Sequence, residues 1–566
     1  MMKILTSLLF CCLLQLANAQ NPIPIPGTLS GPNIQLSIHD DSVQFLNGRK
    51  TVTNAFNNFS YLGPTLILNK GEFVNLDVNN QLNDTTTVHW HGLHVPSIAD
   101  GGPHTVILPN TNWQAQFEVK NNAATYWYHP HLHMRTGEQA MRGAAGIIIV
   151  RDSFEATLNL PRSYGIDDFP LVVQTQQFDS ANQILWRGMN DSIILVNGTT
   201  NPQLNLPAQV VRLRLLNAAQ GRSFNFGFSG NLSFSIIASD GGLLQAPVNA
   251  TRLQLSPGER AEILINLQSL IGQRINLMSY ASEFLMGIQG AALMSGMDST
   301  MESPLNGVDF NILQIDVTPP LPPGIFSIPA SLANFTPLIE SQSEETRWIT
   351  ITPQSSTSFS GPFFFNGQSF DMMRIDYTIP LDHTEIWTIS NQSMVAHPFH
   401  IHDVQFFILD RNGVPPPLHE QGFKDDVLIL PNESIRLIMK FEDYADPMIP
   451  YMYHCHILMH EDDGMMGQFI VSSNSGIPGH ESVEHSEIFP NPVEAGMLHV
   501  RLPKEKSGMC FKIEILNVFG AIVHTESKKL IDPEINLNLI SLGPGSYFLK
   551  MEFPDQVFTR KFIKTK

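Results

Sequence analysis

Short runs of alternating apolar and polar residues dominate this chain. Glu72-Phe-Val-Asn-Leu-Asp-Val78 and Val211-Arg-Leu-Arg-Leu215 are examples. A period of two puts successive side chains on opposite faces and predicts half-buried strands. Gly-, Pro- and Asn-rich turns punctuate the runs at the spacing of β-sandwiches, and helical patterns are few and short. Pro319-Pro320-Leu-Pro322-Pro323 reads as a linker, and a weaker break spans Asp152 to Asp168. The expected body is all-β, with three sandwiches over residues 20–152, 165–316 and 345–473. A further break near Ser472 to Glu484 sets off a small C-terminal β-sandwich over residues 485–566.

The first residues read as a secretory signal. Lys3 precedes an apolar run from Ile4 to Leu16, and Ala17-Asn18-Ala19 offers small residues for cleavage, giving a signal peptide over residues 1–19. That run is too short to span a bilayer, and no later stretch is long and apolar enough. Beyond the signal only Cys455 and Cys510 remain, in segments that read as different domains, so no disulfide is expected. The net charge of -19 argues against nucleic acid or an anionic membrane surface as partner. It is unevenly spread: residues 485–566 carry 11 Lys and Arg against 9 Asp and Glu.

Histidine is distributed far from evenly. It clusters at His89-Trp90-His91, His129-Pro130-His131, His397-Pro398-Phe399-His400-Ile401-His402 and His454-Cys455-His456, the last running on to His460 and Met465. Between Arg151 and Asp382 there is none. On a strand, His-x-His presents both imidazoles on one face, to one metal or to adjacent metals. His454-Cys455-His456 is the most specific segment, because its two histidines face one way and Cys455 the other. One strand then serves two centres back to back. Cys455 with His397, His460 and the thioether of Met465 makes a His₂Cys set of the blue-copper kind. The remaining eight histidines, His89, His91, His129, His131, His400, His402, His454 and His456, suit a three-copper cluster that handles O₂.

With these motifs in their order, the chain resembles the multicopper oxidases over about residues 40–475. Tyr61-Leu-Gly-Pro-Thr-Leu66 and Ala238-Ser-Asp-Gly-Gly-Leu-Leu244 look like framework segments of the bacterial laccase and cuprous-oxidase branch. The resemblance implies three cupredoxin-like Greek-key domains, the middle one a spacer. It also implies four copper ions. His89 and His400 would hold the type 2 ion, and His91, His129, His131, His402, His454 and His456 the type 3 pair. His397, Cys455, His460 and Met465 would hold the type 1 ion. Asp100 and Glu461 match proton-relay carboxylates of the family. Asp462 and Asp463 read as surface, His39, His94, His104 and His419 as surface or loop residues, and His133 has at most a supporting role. Met286, Met294, Met297 and Met301 read as packing residues.

The family implies one-electron oxidation of a donor at the type 1 site, coupled to reduction of O₂ to water. Thr352 to Phe365, where cuprous oxidases insert methionines, holds none, and Ser393-Met394-Val395-Ala396 lacks an acid and a second methionine. The expectation is therefore a laccase-like enzyme acting on phenols or aromatic amines. Oxidation of a metal ion, Cu(I) or Mn(II), is the alternative within the class. A non-catalytic copper-binding electron-transfer protein is the alternative outside it, and a zinc hydrolase a further one. The tail resembles a type IX secretion sorting domain in Ile488-Phe-Pro-Asn-Pro492, Ile515-Leu-Asn-Val-Phe-Gly520, Gly543-Pro-Gly-Ser-Tyr-Phe548 and its basic ending. That implies secretion machinery as a partner and an extracellular or cell-surface location.

Overall fold

In the computed structural model the described residues are 20–293, 303–355, 361–473, 487–493, 496–502, 510–517, 522–529, 534–552 and 557–565. The signal segment, the break after Ser473 and Met294, Met297 and Met301 lie outside them. The chain divides into two compact units, Met1–Ser473 and Asn474–Lys566. Among the described residues no helix is long and apolar enough to cross a membrane.

The first unit is built from three β-sandwiches. In the N-terminal one, a sheet containing Ala124–His129 and His89–His91 faces a sheet containing Asn33–Val43 and Phe73–Asn80. Ile34, Leu36, Val74, Leu76 and Val78 alternate into the core between them, as the period-two pattern requires. The middle sandwich pairs a six-stranded with a seven-stranded sheet around Phe224, Phe226 and Ile263. In the third, Asp446–Cys455 lies between Met466–Ser472 and His397–Ile401, and His397–Ile401 is bordered by Asp426–Ile429. Antiparallel register sets His400 opposite both His454 and Asp426. That pairing is what brings distant histidine clusters side by side. In the second unit, a three-stranded and a four-stranded sheet enclose Val500, Ile513, Leu537 and Leu549.

The alternation of Val211 to Leu215 is genuine, but its polar face does not meet water. Strand Val210–Asn217 is buried throughout. Arg212 and Arg214 are each 1% exposed and pair with Glu155, Asp168 and Glu262. Thr125 of the first sandwich hydrogen-bonds to both Arg214 and Glu262, at 3.0 and 2.7 Å. The polar half of this strand is thus a packing surface between sandwiches. Each buried charge there is compensated by a partner, as burial demands.

Candidate metal centre

All ten clustered histidines and Cys455 converge in the first unit as buried sets whose donor atoms lie within 4.8 Å of one another. One set joins His91, His129 and His456, a second His131, His402 and His454, and a third His397, Cys455 and His460. His89 and His400 share a further set with His91. In the first set, His91 Nδ1 lies 3.5 Å from His129 Nε2 and 3.3 Å from His456 Nε2. In the second, His454 Nε2 lies 3.1 Å from His131 Nε2 and 3.4 Å from His402 Nε2. Neighbouring histidines of one segment thus belong to adjacent sets. On the opposite face, Cys455 Sγ lies 3.6 Å from both His397 Nδ1 and His460 Nδ1. Met465 is fully buried beside it, its carbonyl accepting from Cys455 N at 3.1 Å and its N–H donating to His460 O at 2.8 Å. The Phe363 ring sits 4.5 Å from His397 and 4.7 Å from His460.

Several ring nitrogens turned away from these centres have hydrogen-bond partners, which fixes tautomer and orientation. His89 Nδ1 contacts the carbonyl of Asp100 at 2.9 Å, His400 Nδ1 that of Asp425 at 2.7 Å, and His129 Nδ1 that of Pro130 at 2.8 Å. The Asp100 carboxylate meets His402 Nδ1 at 2.8 Å. Glu461 spans two rings, 3.4 Å from His131 Nδ1 and 3.2 Å from His454 Nδ1. Asp425 lies 3.2 Å from His91 Nε2. His89 Nε2 and His400 Nε2 are buried with no hydrogen-bond partner among the described residues, as are His91 Nε2, His131 Nδ1 and His456 Nδ1. Burial holds His91, His129, His131, His397, His400 and His456 well below the usual imidazole range. His402 and His460 fall to about 3, also chiefly by burial. These eight imidazoles are neutral, the state in which imidazole binds metal. Burial pushes the Cys455 thiol up; a coordinating metal overrides this and takes the thiolate. Burial alone would raise Asp100, but the imidazoles of His402 and His89 outweigh it and hold the carboxyl well below its usual range. The residues present fit copper: sets of buried imidazole nitrogens and one buried thiol.

Asp462 departs from its sequence reading, and two further residues, His94 and Asp425, make contacts that reading did not foresee. Asp462 is 4% exposed rather than on the surface, accepting the N–H groups of Thr136 and Gly137 at 3.0 Å each. It thereby ties helix Thr136–Met141 to helix Leu458–Asp462, which carries His460 and Glu461. His94 is half-buried, bound to Asp403 at 2.7 Å and Asp443 at 3.1 Å. Asp425, which the sequence did not single out, is fully buried and bidentate to Arg260 at 2.6 and 2.7 Å. Arg260 comes from the middle sandwich, which therefore supplies a cation to the edge of the histidine cluster. No local motif marks either residue; only the register of Asp426–Ile429 against His397–Ile401 reveals Asp425. His133 joins no ligand set and packs on Phe370 at 5.1 Å.

A pocket opens beside His460 between loops of the middle and third sandwiches. Met189, Met286, Met394, Met459 and Ile457 line it. Leu458 N donates to the carbonyl of Gln220 at 3.0 Å, fastening the loop Gln220 to Arg222 against the segment that carries His460.

Three cupredoxin-like sandwiches with buried histidine sets and a His₂Cys set define a copper protein. The sequence matches the multicopper oxidase family over residues 37–154, 167–275 and 342–475, and a secretion system C-terminal sorting domain over residues 487–565. The chain belongs to the multicopper oxidase family. It is 32% identical over 454 residues to the multicopper oxidase mco of Staphylococcus haemolyticus, covering 78% of this chain and 89% of that protein. It is 32% identical over 459 residues to the cell division protein FtsP of Pectobacterium atrosepticum, covering 80% of this chain and 93% of that one. Among solved structures it is similar to the laccase-like multi-copper oxidase CueO of Ochrobactrum sp. The TM-score is 0.70 at 32% identity, with 80% of this chain and 100% of that chain covered.

Proposed function

We propose that the protein is an exported laccase-like oxidase holding four copper ions, which takes single electrons from phenolic or aromatic amine donors and reduces O₂ to water. His397, Cys455 and His460, with Met465, hold the type 1 ion. His89 and His400 hold the type 2 ion. His91, His129 and His456 hold one type 3 ion, and His131, His402 and His454 the other. Copper bound in these sets supplies one-electron acceptance at Cys455 and four-electron delivery to O₂. Four phenols each give up an electron and their hydroxyl proton, and one O₂ leaves as two waters.

The observation that carries this reading is the strand ending at Cys455 and continuing to His456. Cys455 faces one donor set while His454 and His456 face two others. Two covalently linked neighbours therefore join the site of electron entry to the site of O₂ reduction, and an electron-transfer protein needs only the first. The cell-division name of the FtsP relative would likewise leave eight inward-facing histidines without a task. Asp100 and Glu461 hold imidazole nitrogens at the cluster edge and stand where protons must reach reduced oxygen. The sorting domain supports delivery to the cell surface or medium.

Purified protein is expected to contain about four copper ions per chain, to absorb as a blue-copper protein, and to consume O₂ with phenols. Cys455→Ser should abolish the blue band and turnover together. About one copper per chain with no O₂ uptake would overturn the reading. A second reading, oxidation of Cu(I), draws on the methionines beside His460, because thioethers suit that ion. A strong preference for Cu(I) over every phenol would favour it.

A further inference from the structure

The pocket beside His460 carries hydrogen-bonding capacity that the copper chemistry does not use. Arg222 is 5% exposed. Its Nε donates to Asp191 Oδ2 at 2.7 Å and its Nη2 to Asn306 Oδ1 at 2.9 Å, with a further bond from Nη2 to Asp191 Oδ1. Its Nη1 is buried and has no partner among the described residues. The same is true of the Gln220 Nε2 donor and the Gln289 Oε1 acceptor, and all three residues line the pocket. Gln289 Nε2 donates to the carbonyl of Ala396 at 2.7 Å, which leaves Oε1 as the free end. Buried polar groups in folded proteins are nearly always satisfied, so three orphans around one cavity point to a ligand. Gly290 keeps the approach to Arg222 open: its φ is +103°, and a Cβ there would come to 3.0 Å from Nη1.

The chemistry of the orphans selects the ligand. Asp191 compensates the guanidinium charge, so the pocket acts by directed donors rather than by net charge. Nη1 and Gln220 Nε2 each offer N–H groups, which match the two oxygens of a carboxylate; charge-assisted bonds of this kind are the strongest available. Methionine side chains adapt to aromatic faces and gain from sulfur contact with them. A bare cation would instead meet a guanidinium and an amide N–H. We infer that the pocket selects phenols bearing a carboxylate, with the carboxylate on Arg222 and Gln220, a ring hydroxyl on Gln289 Oε1, and the ring against the methionines beside His460. This rests on the phenol-oxidase reading above and names its donor class.

The test compares vanillate with guaiacol, the same phenol without its carboxylate, in the copper-loaded full chain. Changing Arg222→Met together with Asp191→Asn leaves no uncompensated buried charge. This double variant should lower kcat/KM for vanillate about 10- to 100-fold more than for guaiacol, the range of a hydrogen bond to a charged group. Gln220→Leu, a milder change, should give about a 3- to 10-fold difference in the same direction. Calorimetry with veratrate, which has the carboxylate but no oxidisable hydroxyl, reads binding without turnover and should weaken by the same factors. An unaltered blue band shows that the type 1 site is intact. Equal losses for vanillate and guaiacol, or unchanged veratrate binding, would overturn this inference alone. A wild-type enzyme that turns over Cu(I) and neither phenol would overturn the phenol-oxidase reading and this inference together.

Discussion

Arg260 and Asp425 should separate two roles that one buried carboxylate plays. Arg260 is fully buried and grips Asp425 through both terminal nitrogens at 2.6 and 2.7 Å, while donating to the carbonyls of Thr125 and Asp240 at 3.1 and 3.0 Å. Arg260→Met strands a buried carboxylate, which costs about 3–5 kcal/mol when one partner of such a pair is removed. Adding Asp425→Asn removes the stranded charge and should restore about 2 kcal/mol or more, since residues in direct contact couple strongly. Copper retention should not follow stability. The Asp425 carboxylate lies 3.2 Å from His91 Nε2, and its carbonyl holds His400 Nδ1 at 2.7 Å. Losing the carboxylate charge beside a ligand histidine should weaken metal binding about 10- to 100-fold. Urea unfolding of the metal-free protein, followed by near-ultraviolet circular dichroism, reads the first effect, and copper remaining after dialysis against a graded chelator reads the second. A double variant no more stable than Arg260→Met would show that the stranded charge is not the source of the loss. An Asp425→Asn protein that keeps copper like the wild type would show that the carboxylate does not orient His91.

Three further outcomes follow from named contacts. Burial opposes a charge on His94, but Asp403 and Asp443 outweigh it and raise its pKa from 6.5 to about 9. A raised basic group stabilises fully below its unfolded value, so this contribution, about 1–3 kcal/mol, is present near pH 6.5, above the value of about 6 to which burial pushes Asp403, and is lost as pH rises through about 9. His94→Gln should therefore flatten the alkaline limb of a melting-temperature profile; an unchanged limb would place that loss elsewhere. Gly258 has φ +90°, and a Cβ there would collide with Asp426 and lie 2.8 Å from the His456 ring, so Gly258→Ala should lower copper content well before it unfolds the first unit, measured by metal analysis beside circular dichroism. Asp462→Ala leaves the N–H groups of Thr136 and Gly137 unmet, at about 1–3 kcal/mol each, and hydrogen exchange at those two amides should quicken while exchange in strand Ala124–His129 stays slow.

The convergent histidine sets were legible in the sequence because a strand's period of two converts His-x-His into geometry without knowledge of the fold. Cys455 between His454 and His456 needs only that rule to face away from both, and the structure sets it against His397 and His460. The strands around Phe73–Asn80 and Val210–Asn217 were legible for the same reason. What the pattern could not supply is the identity of the surface each face meets. Arg212 and Arg214 alternate as solvent-facing residues would, yet they pack against another sandwich. Asp462 and Asp463 are adjacent acids, but the helical turn sends Asp462 to the amides of Thr136 and Gly137 and leaves Asp463 to Arg187 at 2.9 Å on the outside. Arg260 and Asp425 stand 165 residues apart and meet only when the middle and third sandwiches close. The middle sandwich has no histidine, yet it presents Arg260 to the cluster and Arg222 to the pocket beside His460. Its influence on copper therefore runs through hydrogen bonds to the neighbours of the ligands, a dependence that no local motif can carry.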